Sequence, residues 1–192
     1  VIGKLFIITA PSGAGKTTLI EKFLVDHKDL SFAKIITYTT RQPRQGEEQG
    51  IHYYFITHQE FEVKKAAGFF IEHSYAYGNY YGSAWDFMHQ LEQGTSFFAI
   101  LDAHGSQAIK KAYSQAVTIF LAPPDYKELE KRIMYRGAHL DSLTIQNRLN
   151  AVKDELLNLP SYDLFNYIIT NDSLENRLSQ LKRIVLSEVI IK

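Results

Sequence analysis

The sequence predicts an α/β fold with a five-stranded parallel core sheet. Three observations lead there. Runs of β-branched and aromatic residues recur at 5–9, 33–39, 96–101, 117–121 and 167–170. Most of the intervals between them carry the apolar period of helices, so the chain reads as successive βαβ units. The first run passes directly into "APSGAGKTT", residues 10–18, whose small residues, single lysine and hydroxyls have little with which to pack a core.

The 192 residues suffice for one domain with a sizeable core and inserted subdomains. Apolar residues make up 45% of the chain and aromatics 13%, which excludes a disordered or collagen-like class. Lysine plus arginine and aspartate plus glutamate number 21 each, so no bulk charge draws the chain to nucleic acid or a membrane surface. Anion binding must therefore come from local arrangement. Cysteine is absent, which excludes disulfide and thiolate chemistry and suits a cytoplasmic protein. No apolar run approaches membrane-spanning length.

The opening "VIGKLFIITA" is too short and too β-branched for a signal peptide and is expected to be the first strand. The first helix is expected to start at Lys16 and run through "TTLIEKFLVDH". The second strand is placed over 33–39. From about Thr37 to Met88 the alternation breaks into tyrosine, glycine and charge, with "HYYFI" and "GFFIEHSYAY" as short strand candidates. That interval reads as an insertion with a small sheet of its own. After the strands at 96–101 and 117–121, "RIMYRGAHLDSLTIQNRL" joins two helical patterns across a glycine and a helix start at Asp141–Ser142. A projecting, arginine-bearing hairpin near a nucleotide is a lid candidate. The final helix follows the strand at 167–170 and carries Leu174, Leu178, Leu181, Val185 and Val189 on one apolar stripe.

The 10–18 stretch has the chemistry of a phosphate cradle. Gly13, Gly15, Lys16 and Thr17 stand where a Walker A loop needs them, with Ala10 in place of the first glycine. Backbone N–H groups of Ser12, Gly13, Ala14, Gly15, Lys16 and Thr17 can wrap a β-phosphate at the positive end of the following helix. Lys16 would bridge the β- and γ-phosphates and the Thr17 hydroxyl would hold Mg²⁺. Such a site also needs a carboxylate near the metal, and "FFAILD" ends in Asp102, expected to orient metal-bound water. An aspartate ending a strand is also a common turn former.

The insertion adds anion chemistry. Arg41 and Arg44 flank a proline-stiffened extended segment, and guanidinium forks fit phosphate oxygens bidentately. Two isolated arginines are usually a solvated loop. "HYYF" with Tyr53 and "GNYYGS" with Tyr81, however, offer phenolic donors beside uncrowded glycines. Glu72, the odd charge on an apolar strand, is either an edge residue facing water or an acceptor for the N–H edge of a purine.

Together these residues resemble a known family. The chain looks like a guanylate kinase, a P-loop nucleoside monophosphate kinase, over nearly its whole length. "APSGAGKTT", "TTRQPRQGE", "HYYF", "FIEH" and "GNYYG" follow one another in family order and spacing. The resemblance implies a core of residues 1–36, 89–131 and 149–192, a GMP-binding insertion over 37–88, and a lid over 132–148. It implies that Arg41, Arg44, Tyr53 and Tyr81 hold the GMP phosphate. Glu72 would accept from guanine N1–H and the exocyclic amine, Thr37 would bond the base, and Asp102 would lie beside the acceptor. ATP would lie on Ser12 to Thr18, Thr18 included, with Asn171 beside the adenine. Arg132, Arg136 and Arg148 match the arginines on the lid side, and the first two, four residues apart, share a helix face.

The implied reaction is Mg²⁺-dependent phosphoryl transfer from ATP to GMP (and dGMP), with nucleotides as the only expected partners. One stretch departs from the family: "LDAHGSQAI" has His104 where a second aspartate usually stands, and is two residues shorter. No chemical role is assigned to His104. The departure leaves open a kinase for another phosphorylated acceptor. A silent, protein-binding module of the same fold stands against the intact glycine-rich lysine loop. Oligomeric state is not legible.

Overall fold

Strand β1 (Leu5–Thr9) is buried along its whole length, a pattern that only the middle of a sheet covered on both faces permits. The computed structural model describes residues 2–44, 46–76, 78–123, 125–136, 141–158, 161–170 and 173–190. In it β1 lies at the centre of a five-stranded sheet of order β2-β7-β1-β8-β9, with β2 at Phe32–Lys34, β7 at Ser96–Leu101, β8 at Val117–Leu121 and β9 at Tyr167–Ile169. Every pairing in it is parallel.

The pleat of β1 sorts its side chains between two cores. Phe6 and Ile8 face a cluster completed by α1 (Lys16–Asp26), α5 (Tyr126–Arg136), α6 (Ser142–Leu157) and α7 (Leu174–Ile190). Leu5 and Ile7 face a second cluster with Phe87, Leu91 of α3 (Met88–Glu92) and Ile109 of α4 (Ala103–Ala112). Phe98 anchors the first cluster, with the rings of Phe6, Phe23 and Phe32 at 5.5, 5.3 and 5.4 Å. In α7 Leu181 and Val185 of the predicted stripe are fully buried and Leu174 and Leu178 pack against the cluster, while Val189, near the helix end, is exposed.

The run at 33–39 does not form one strand. The Ile35 amide donates to the Phe98 carbonyl at 2.8 Å, and beyond it the chain leaves the core sheet. It re-pairs as β3 (Tyr38–Thr39) in a second sheet of order β4-β3-β6-β5, with β4 at Tyr54–Phe55, β5 at Phe70–Ala76 and β6 at Asn79–Ala84. Ile35 to Thr39 are all strand-favouring residues, so local propensity carries no mark of the crossover that falls among them. Helix α2 (His58–Ala66) starts in a reciprocal Thr57–Glu60 capping box and stacks Phe61 on Phe70 and Tyr80 at 4.6 and 5.0 Å. The small sheet is thus a packed unit with its own aromatic core.

The predicted helical hairpin is the pair α5 and α6, the second capped by Asp141, which accepts from the Thr144 amide at 2.9 Å. Positions 132 and 148 fall inside these helices. Leu129, Ile133, Leu149 and Val152 bury them in the first cluster, so their inner ends belong to the core. Truncating the cluster's anchor, Phe98→Ala, is expected to cost about 3–5 kcal/mol, read as a lower urea midpoint at unchanged slope.

Candidate active site

The glycine-rich loop leaves β1 at Ala10 and turns twice. Gly13 and Gly15 have φ of 84° and 95°, values at which a side chain would be strained, so both turns require glycine. Gly15 is the N-cap of α1 and offers no side-chain acceptor, which leaves first-turn amides of α1 for a ligand. Lys16 Nζ donates to the carbonyls of Ala10 and Pro11, the latter at 3.2 Å, and closes the loop on itself.

Three consecutive loop residues are tied to three different helices. The Ser12 amide donates to Glu155 of α6 at 2.9 Å. Arg132 of α5 donates to the Gly13 carbonyl at 3.4 Å while its Nε bonds Glu128 at 2.8 Å. Arg177 of α7, 7% exposed, donates to the Ala14 carbonyl at 3.3 Å. Gly13, Gly15, Thr18, Arg132 and Arg177 line a cavity of about 190 Å³ at this point.

Asp102 sits beside the loop because β7 and β1 pair with Leu101 opposite Thr9, so both chains leave the sheet side by side. It is also the N-cap of α4: one carboxylate oxygen accepts from the Gly105 amide at 2.7 Å. Asp102 is thus the turn former that a strand-ending aspartate commonly is. Thr17 and Asp102 are both exposed, oxygen-bearing and adjacent to the loop, a donor set that suits a hard cation. The described residues hold no group of three His, Asp or Glu side chains able to bind a metal. The fit is therefore to Mg²⁺ carried largely by phosphate and water oxygens.

Glu72 projects from β5 toward the start of α4. It is 6% exposed, and its Oε1 has no hydrogen-bond partner among the described residues. Close approach sets its surroundings: a Cβ on Gly105 would lie 2.9 Å from Glu72 Oε2 and 3.3 Å from Asp102 Oδ1. Burial pushes the Glu72 carboxyl from 4.5 up to about 7; Ser83 on the paired strand opposes the rise and Asp102 adds to it. A buried carboxylate with an unused oxygen is poised to accept from a ligand.

At the far side of the small sheet, Arg41 bonds Glu47 at 2.9 Å and lies over the Tyr53 ring at 5.2 Å. The Arg44 amide donates to the same carboxylate at 2.7 Å. Burial, then Tyr81, raise the Tyr53 phenol above its ordinary value, which keeps it a donor. Tyr53 and Tyr81 face each other with ring centroids 6.3 Å apart. Thr37 lies half-buried at the crossover between the sheets, its carbonyl accepting from the Tyr54 amide at 2.9 Å.

The expected residues therefore group around two centres, the loop with Asp102 and the small sheet with Glu72. Arg148 is half-buried on α6, seven residues before Glu155 and so on the same face, about 10 Å away along the helix axis. Asn171 and the Arg136 side chain lie outside the described residues. His104 is exposed in the first turn of α4. Sequence reading passed over Arg177, Glu155, Glu47 and Gly105. For Arg177 a signal existed: it is three residues after Leu174 and four before Leu181, a cation on the buried stripe of α7.

The parallel sheet with a glycine-rich loop between its central strand and α1 defines an α/β phosphate-binding protein of the P-loop class. The guanylate kinase family model matches residues 2–188, and the chain belongs to the guanylate kinase family. It is 38% identical to the guanylate kinase of Idiomarina loihiensis over 189 residues, covering 98% of this chain and 88% of that protein. It is 40% identical to that of Haemophilus ducreyi over 190 residues, with 98% and 90% covered. The crystal structure of guanylate kinase from Anaplasma phagocytophilum superposes with a TM-score of 0.78 at 26% identity, over 98% of this chain and 87% of that one. Family membership makes the chain a nucleoside monophosphate kinase, with the protein-binding module unsupported.

The Glu72 environment has a signed consequence for stability. Between pH 4.5 and about 7 the folded chain keeps a proton that the unfolded chain has lost, so ligand-free stability falls as pH rises through that window. The loss is complete above about pH 7 and amounts to about 3 kcal/mol at most. Glu72→Gln is expected to raise the Tm relative to wild type at pH 8 and to leave it nearly unchanged at pH 5. An equal shift at both pH values would show that the carboxyl is not held protonated by the fold.

Proposed function

We propose that the protein transfers the γ-phosphoryl group of MgATP to GMP, giving ADP and GDP, and that the residues around its two centres divide this work between them. The observation that carries the reading is Glu72, a buried carboxylate with an unbonded oxygen near Asp102, which leaves the sheet beside the start of the phosphate loop. Guanine presents N1–H and an exocyclic amine to such an acceptor. Adenine has no N1–H and leaves the carboxylate unpaired, a penalty that discriminates strongly.

Arg41, Arg44, Tyr53 and Tyr81 bind the GMP phosphate, which takes the place of Glu47 on the Arg41 guanidinium. Thr37 bonds the base. On the donor side the loop amides from Ser12 to Thr17 cradle the β-phosphate, the Ser12 amide leaving Glu155 for it, with Thr18 completing the ATP site, and Lys16 leaves the Ala10 and Pro11 carbonyls for the β- and γ-oxygens. Asn171 lies beside the adenine. When bound through Thr17 and, by way of water, Asp102, Mg²⁺ supplies charge neutralisation between the phosphates. An oxygen of the GMP phosphate forms the new bond to the γ-phosphorus as the bond to the ADP oxygen breaks. No protein nucleophile takes part, so positioning and charge carry the rate. Arg132, Arg136 and Arg148 stabilise the equatorial oxygens as residues 132–148 close over the donor and exclude water.

Lys16→Ala is expected to abolish nearly all turnover in a coupled assay while circular dichroism shows the fold retained. A folded variant with near-normal GMP phosphorylation would remove this mechanism. Among GMP, dGMP, AMP, UMP and CMP, wild type is expected to use the guanine nucleotides strongly over the rest. Comparable use of AMP would return the other-acceptor reading.

The base contact also sets a pH profile. Only ionised Glu72 accepts two donors, so the KM for GMP is expected to rise on acidification from pH 8 to 6, approaching tenfold per unit below the group's pKa. The GMP phosphate titrates near pH 6 as well. Glu72→Gln shares that background, so the difference between the two profiles isolates the carboxyl. Coincident profile shapes would exclude Glu72 as the acceptor.

A further inference from the structure

Arg177 has no part in the mechanism above, yet the fold spends a buried cation on it. It stands at the start of α7, where its own amide is the first to bond back, to the Ser173 carbonyl at 3.1 Å. The guanidinium bonds the Ser173 and Ala14 carbonyls at 3.4 and 3.3 Å. Its Nη1 lies 3.0 Å from where a Cβ on Gly15 would sit, hard against the start of α1. The guanidinium is therefore placed at the starts of two helices, with Arg132 lining the same cavity. Helix N-termini and paired guanidiniums together favour an anion at that point.

The space for that anion is the cavity of about 190 Å³ lined by Gly13, Gly15, Thr18, Arg132 and Arg177. It is smaller than the roughly 300–1,000 Å³ that encloses a whole small molecule, so it takes one part of a larger ligand. Which part follows from α1. Lys16, Thr17 and Thr18 are its first three residues, each about 100° further around the axis. Lys16 and Thr17 face the β- and γ-phosphates in the proposed reaction, so the Thr18 wall, two steps round, faces the other end of the triphosphate.

We propose that Arg177 holds the α-phosphate and adjoining ribose of the donor nucleotide, with its fork directed into this cavity from α7. Arg132 closes the same cavity from α5, so the donor is gripped by two guanidiniums on separate helices. The proposal rests on the P-loop kinase reading and adds to it a donor-binding residue that the loop motif does not contain.

The test compares wild type with Arg177→Met, which keeps much of the apolar stem, and Arg177→Lys, which keeps the charge without the fork. ADP and GMP are titrated separately into the full chain by calorimetry, and steady-state KM and kcat are measured for ATP. Arg177→Met is expected to weaken ADP by about tenfold and to raise the KM for ATP similarly, with a smaller change in kcat and GMP affinity within twofold. Arg177→Lys is expected to recover part of the ADP loss. Unchanged ADP affinity in a folded Arg177→Met overturns the proposal, and so does equal weakening of ADP and GMP, which marks a general packing role. If the Met variant does not fold, the Lys variant decides alone: wild-type ADP affinity there overturns the fork contact. Wild type that binds neither ADP nor GMP would instead sink the kinase reading itself.

Discussion

The rest of this structure depends on how the glycine-rich loop is held. A loop meant to present bare amides to a ligand cannot stabilise itself with side chains, and its outward-facing backbone still needs partners. Here the partners come from outside: Glu155, Arg132 and Arg177 take the Ser12 amide, the Gly13 carbonyl and the Ala14 carbonyl in turn. Each charged side chain reaches in from a different helix, and those helices are fixed by the core around Phe6, Ile8 and Phe98. The central sheet thereby sets the loop twice, once through β1 and once through the helices packed on its face. Two of the three contacts come from α5 and α6, whose inner ends pack in that same core, so packing of the helix pair sets the loop's geometry.

The acceptor side is organised around a cost. Keeping Glu72 buried beside Asp102 and the start of α4 raises the energy of its charged form. A Gln would fold more easily there above neutral pH. In the proposed reaction the acid provides an acceptor that becomes most favourable when two ligand N–H groups arrive, because their hydrogen bonds offset a desolvation already incurred. Gly105 permits the arrangement: with no Cβ, α4 can start within van der Waals distance of the carboxylate. The turn at Asp102–Gly105 therefore brings a helix N-terminus to Glu72, a favourable neighbour for the ionised form.

Much of this was legible in the sequence for physical reasons that can be named. Strands β1, β7 and β8 are central and covered on both faces, so they read as continuous apolar runs. The loop announces itself because its chemistry excludes packing. The split of 33–39 into β2 and β3 was not legible, since the crossover at Ile36–Thr37 depends on which neighbours accept the next hydrogen bond. Glu72 stood out as a charge on an apolar strand. Arg177 obeys the same rule on a helix, but its neighbours at three and four residues must be counted before the anomaly shows. Glu155 and Glu47 carry no such mark; an acid on an exposed helix face or in a basic loop looks solvated until the fold brings a donor to it.

Those two carboxylates bear on how affinity is set. Glu47 accepts from Arg41 and from the Arg44 amide, and Glu155 accepts from the Ser12 amide. Lys16 likewise bonds the carbonyls at the loop's entrance. If Arg41 and Lys16 take nucleotide phosphates as proposed, each ligand contact replaces an internal one, and only the difference appears as binding free energy. Exchange of this kind keeps both sites folded and hydrogen-bonded before substrate arrives, and it holds nucleotide affinity below what the number of cations suggests. For an enzyme that must release ADP and GDP after every transfer, modest net affinity for phosphate is the useful outcome. Arrival of a fully charged pair of nucleotides is what tips the exchange on both sides at once.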